Sequence, residues 1–88
     1  MILEDNLNLA VFCSESILKH GKGIDSVFHD EDGDFQFISN QEEDGKICLL
    51  SLEEVVDIDA SVKEVLDIPI GYVAFRVSPT SEWIIEPI

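Results

Sequence analysis

Apolar residues along this chain fall into short blocks, and the spacing inside each block predicts an element. In "NLAVFC" (8–13) alternation puts Leu9, Val11 and Cys13 on one face of a strand. "SESILKHG" then reads as a short helix capped by Ser14. Ile17 and Leu18 form its apolar side, Lys19 and His20 suit its negative end, and Gly21 can take the left-handed closing position. "DSVFHDEDGDFQFIS" (25–39) reads as a hairpin, with Val27 and Phe28 before a two-residue Asp32-Gly33 turn and Phe35 and Phe37 sharing a face of the returning strand. "NQEEDG" (40–45) is a polar loop and "KICLL" (46–50) a buried strand.

Two short helices follow. "SLEEVV" starts with a capping box, Ser51 three residues ahead of Glu54, and carries Leu52, Val55 and Val56 as its stripe. "DASVKEVLD" puts Val62, Val65 and Leu66 on one side, is capped by Asp59 or Ser61, and is stopped by Pro69. Val73, Phe75 and Val77 alternate in "GYVAFRVS", and "SEWIIE" forms a last strand after the "SPTS" turn. Strands with short helices clustered between them predict an α+β fold: a small, largely antiparallel sheet with two or three short helices packed on it. The 88 residues allow one compact domain, residues 1–88, without repeats or linkers.

Charge changes this picture more than any other property. The formal net charge is -14. Such a chain repels nucleic acid and anionic membranes and attracts cations or basic proteins, although charge can also serve solubility alone. Eight acids and no lysine or arginine lie between Lys22 and Lys46. The N-terminal stretch has no basic start and no long apolar run, so no secretory leader or membrane span is expected. Cys13 and Cys48, both in apolar strings, read as reduced core thiols, which points to a cytoplasmic location.

Candidate chemistry is sparse. "HDEDGDFQFISN" (29–40) is the most site-like stretch, but a calcium loop starting at Asp30 would have Phe35 at its sixth position and Gln41 at its twelfth, where glycine and glutamate are required. Asp30, Glu31, Asp32 and Asp34 read as lying on an exposed, solvated turn tip, a setting that suits general acid work poorly. The cysteines and His20 and His29 lack zinc-ligand spacing, and the phosphate-loop, nucleophile-elbow and dinucleotide patterns are missing. No cofactor, metal or catalytic group is expected, and the chain reads as a non-enzyme. Two residues remain. Arg76 reads as a surface ion-pair partner or, beside Tyr72 four residues earlier, as an interface residue; Trp83 reads as core or as an anchor.

The segments "DGDFQFISNQE" (32–42), "LEEVVDIDASVKEVLDIPIG" (52–71) and "AFR" (74–76) resemble the bacterial twenty-one eighty-five family of domains of unknown function, which is grouped with the immunity proteins of polymorphic toxin systems. The similarity covers roughly the last two thirds of the chain. Phe35 stands where the family usually has tryptophan, Asn40 where it tends to have glycine, and Ala60 where proline is common. The resemblance implies an α+β domain that neutralises a cognate protein, such as a toxin, by stoichiometric occlusion. The partner-binding residues expected are Asp30, Glu31, Asp32, Asp34, Glu42, Glu43, Asp44, Tyr72 and Arg76, facing a basic protein. The alternative expectation is a self-associating structural or regulatory domain, a homodimer built through a sheet edge.

Overall fold

A computed structural model describes residues 2–40 and 45–88. Strand β1 (Ala10–Ser14) runs straight into helix α1 (Glu15–His20), which Gly21 closes at φ 64°. β2 (Ser26–His29) and β3 (Phe35–Ile38) form the hairpin. β4 (Ile47–Ser51) leads without a break into helix α2 (Leu52–Ile58), because Ser51 is both the last strand residue and the helix cap. Its hydroxyl accepts from the Glu54 amide at 3.2 Å and Glu54 Oε1 accepts from the Ser51 amide at 3.1 Å, the reciprocal pair that the sequence predicts. A 3-10 helix (Ala60–Val65), β5 (Tyr72–Phe75) and β6 (Ile84–Pro87) complete the chain.

Among the described residues the strands form one six-stranded sheet in the order β4-β1-β3-β2-β5-β6, so the α+β expectation holds. Each neighbouring pair is antiparallel except β1 and β3, which run parallel with Phe12 beside Gln36. The parallel pair arises because α1 carries the chain past the space that β3 later fills. The core lies on one face of the sheet. Val11, Cys13, Val27, Phe35, Phe37 and Ala74 point into it from the strands, and Ile17, Leu52, Val55, Val62, Val65 and Leu66 meet them from the helical segments.

Several local expectations shift for physical reasons. Ser14 holds the position before α1, but its buried hydroxyl does not cap the helix; it accepts from the Ser39 amide at 3.2 Å and ties β1 to the end of β3. Leu18, expected beside Ile17, is exposed because a helix of under two turns presents too narrow a face. "KICLL" is not a buried strand. Among the described residues β4 is an edge that pairs only with β1, and Leu49 is 64% exposed on its outward side. Val73 and Phe75 do share a face, but the core takes the other one, where Ala74 and Arg76 are buried. Apolar runs of this kind state that a strand exists and leave its buried side open.

Candidate interaction surface

The hairpin turn differs from the two-residue form. Asp30 and Asp34 close it, with the Asp30 amide donating to the Asp34 carbonyl at 3.0 Å and the Gly33 amide to the Asp30 carbonyl at 3.0 Å. Glu31, Asp32 and Gly33 therefore form a three-residue loop, and Gly33 takes φ 87°, the left-handed residue that such loops need. Asp30 builds the turn from within. Its Oδ1 accepts from the Asp32 and Asp34 amides at 3.0 and 3.1 Å, and its Oδ2 from Gln36 Nε2 at 3.0 Å. The Gln36 hydrogen bond, aided by those amides and outweighing partial desolvation, holds the Asp30 carboxyl below its ordinary value. Oxygens of Asp30, Asp32 and Asp34 come within 4.8 Å of one another, yet Asp30 is a structural acceptor and Glu31, Asp32 and Asp34 are the acids left to face outward.

The parallel β1–β3 pairing decides what lies near this turn. Because Phe12 stands beside Gln36, the start of β3 and the hairpin tip share one end of the sheet with the start of β1. There the chain before β1 and the first turn of α2 are joined by hydrogen bonds from the Leu52 and Glu53 amides to the Leu9 and Leu7 carbonyls. They frame an open cleft of about 460 Å³ lined by Glu4, Asp5 and Glu53 together with Asn6, Leu7, Asn8 and Leu9. The carboxylates of this cleft and of the hairpin tip therefore gather at one end. Nothing in the local spacing signals it, since 25 residues separate Asp5 from Asp30 and only strand order brings their elements together. Glu42, Glu43 and Asp44 lie outside the described residues. The residues flanking them, Asn40 after β3 and Gly45 before β4, stand at the opposite end of the sheet from the hairpin tip.

Tyr72 and Arg76 lie on one side of the sheet, but that side is the core. Arg76 is no surface residue: its side chain is 2% exposed. Nε donates to the Ile24 carbonyl at 3.0 Å, Nη1 to Ser61 Oγ at 2.8 Å and Nη2 to Asp59 Oδ2 at 2.7 Å, while the guanidinium lies 3.9 Å from the centre of the Trp83 ring. With its donors so used and one face against an indole, it bolts the 3-10 helix and the β6 lead-in to the sheet. Burial pushes the Asp59 carboxyl up, but hydrogen bonds from Ser61 Oγ and N, and then the Arg76 charge, outweigh it and hold the pKa below the ordinary value. Trp83 is partly buried here, which accords with the core reading and not with a free anchor. His29 is likewise held: Nδ1–H donates to the Ile68 carbonyl at 2.8 Å and its ring stacks on Phe35 at 4.1 Å.

Cys13 and Cys48 face each other across β1 and β4, and neither forms a disulfide. Desolvation pushes the Cys48 thiol up, and the charge of Glu15 adds to it. Cys48 should therefore react with iodoacetamide more slowly than an unhindered thiol at neutral pH, and Cys13 only after unfolding. A mass-spectrometric time course with and without urea checks this; equal and rapid labelling of both in native protein would contradict it.

The opposite face of the sheet carries what the core does not use. Strand register aligns Leu49, Phe12, Gln36, Phe28, Val73 and Glu86 in one row across all six strands. None of the six is buried, whereas the core-facing Val11, Val27 and Ala74 are each 0% exposed. Ile84, 47% exposed, stands beside Phe75 on the same face. The sequence marks all of these except Gln36 and Glu86 as apolar; it does not tell which side of the sheet they face. No helix among the described residues is long and apolar enough to cross a membrane. Comparison with protein-family models, with curated proteins and with solved structures finds no match to this chain.

Proposed function

We propose that this protein is a non-catalytic binding domain that captures a basic protein partner at the acidic end of its sheet. The observation that carries the reading is the gathering of Glu4, Asp5 and Glu53 with Glu31, Asp32 and Asp34 at that end by the parallel β1–β3 pair. A concentrated field of one sign speeds the capture of an oppositely charged partner and makes it salt-dependent. Immunity-type neutralisation, in which a cytoplasmic protein occludes the basic site of a toxin, is the form of this reading that the family resemblance favours. A nuclease is a fitting target, because its active site is built to receive phosphate charge.

The test is capture by tagged protein from a lysate of the source cells at low and high salt, beside a variant carrying Glu31→Gln, Asp32→Asn and Asp34→Asn. Asp30 is left in place because it builds the turn. We expect one basic protein at low salt, its loss at high salt, and weaker, less salt-dependent capture by the variant. Equal capture by the variant at both salt concentrations would end the electrostatic reading. Recovery of the protein alone would favour self-association through the exposed edges β4 and β6, which has to overcome the repulsion between chains of net charge -14.

A further inference from the structure

We infer that the face of the sheet away from the core is the second half of the binding surface, and that it takes the apolar side of a protein segment whose lysines or arginines reach the acidic end. This rests on the binding reading above and adds where the contact lies and what the partner must look like. Two observations join. The first is the row from Leu49 to Val73, apolar except at Gln36, in which Leu49 is exposed and Phe12, Gln36, Phe28 and Val73 are half-buried on the side away from the core. A contiguous apolar surface left partly in water on a small domain marks a contact site, since it forgoes the free energy that further burial would supply.

The second observation is charge, and it selects the occupant. Another copy would bring a second net charge of -14 against the first, and anionic lipid or nucleic acid would be repelled in the same way. A basic segment with one apolar side answers both halves. Gln36 makes the two halves continuous: it lies mid-row on the open face, and its amide donates to Asp30 at the base of the acidic turn. A segment lying along the face therefore ends against the carboxylates that would bind its cations.

The experiment titrates the full chain, labelled with nitrogen-15, with two synthetic peptides of equal length and charge. One combines leucine and lysine so that the leucines fall on one side of a helix; in the other every leucine is serine. We expect the leucine peptide to bind roughly tenfold tighter or more, one such factor for about 1.4 kcal/mol of apolar contact. It should shift the amides of Phe12, Phe28, Leu49 and Val73. A Leu49→Ser, Ile84→Ser variant, altered only where side chains are already exposed, should keep the native spectrum and lose that preference. Equal affinity for both peptides, with shifts confined to residues 30–34, would overturn the role of the face and leave the acidic-end reading standing. Failure of both peptides to bind would overturn both. A free protein that dimerises with rising concentration, and ceases to do so in the Leu49→Ser, Ile84→Ser variant, would assign the face to a second copy and overturn the inference.

Discussion

Replacing Asp59 with alanine should destabilise the protein by about 3–4 kcal/mol, because it strands the Arg76 charge. The two partners are unequal: the Arg76 side chain is 2% exposed and that of Asp59 23%, so water can reach the acid far better than the base. Removing the acid leaves an almost fully desolvated guanidinium with only Ser61 Oγ, the Ile24 carbonyl and the Trp83 ring for company. It also deletes the cap on the 3-10 helix, where Asp59 Oδ1 accepts from the Ser61 amide at 3.0 Å, a contribution of about 1 kcal/mol. Arg76→Met leaves the shallower charge behind and should cost less. The pair Asp59→Ser with Arg76→Met should be milder than the sum of the single changes, since no buried charge remains unpaired.

Urea midpoints order these variants, and for a domain of this size each kcal/mol moves the melting temperature by about 4–8 °C. A loss below about 1 kcal/mol for Asp59→Ala would mean that Arg76 turns out to solvent instead of depending on Asp59. The pH dependence has a definite sign. The folded pKa of Asp59 is depressed, so its contribution is fully present above its ordinary value of 3.8 and is lost as the pH falls through the folded value below it. Acid titration of the wild type should therefore show a stability step below pH 3.8 that Asp59→Ala lacks.

Phe37→Ala should cost about 3–5 kcal/mol, whereas Phe12→Ala should cost about 1 kcal/mol. Phe37 is 0% exposed in β3, between Cys13 of β1 and Val27 of β2, with the Phe35 ring 6.2 Å away. Its removal opens a cavity that close-packed neighbours cannot fill. Phe12 is one residue from Cys13, half-buried, and points to the face away from the core, where water can reach the space the ring would leave. Midpoints that shift with unchanged urea dependence would confirm that the contrast is one of stability. An equal loss for Phe12 would mean that the face is covered in the free protein, and the inference that it receives a partner would fall with it.

That contrast also separates what was legible in the chain from what was not. Alternation and the short-range capping signals of Ser51, Glu54, Asp59 and Gly21 locate strands and helices, because these depend on neighbours within four residues. The acidic hairpin was legible for the same reason, although its turn has three residues because the Asp30 side chain organises the amides of Asp32 and Asp34. The buried side of β5 was not legible. Val73 and Phe75 are the larger apolar pair, yet Ala74 and Arg76 take the core, since Arg76 finds Asp59, Ser61 and Trp83 there.

The candidate site divides along the same line. The sequence alone determined that the chain is strongly acidic, that it is built of short strands and capped helices, and that Asp30, Glu31, Asp32 and Asp34 crowd one turn. Those properties follow from composition and local hydrogen bonding. Only the tertiary structure decided that β1 and β3 run parallel, that Glu4, Asp5 and Glu53 join the hairpin acids at one end, that Arg76 is an internal bolt, and that the apolar residues on the other face of the sheet stay only partly buried. The reason is that sheet order and facing are set by which long-range pairing best buries the whole core, and a two-residue period fits either face until a helix packs against one of them.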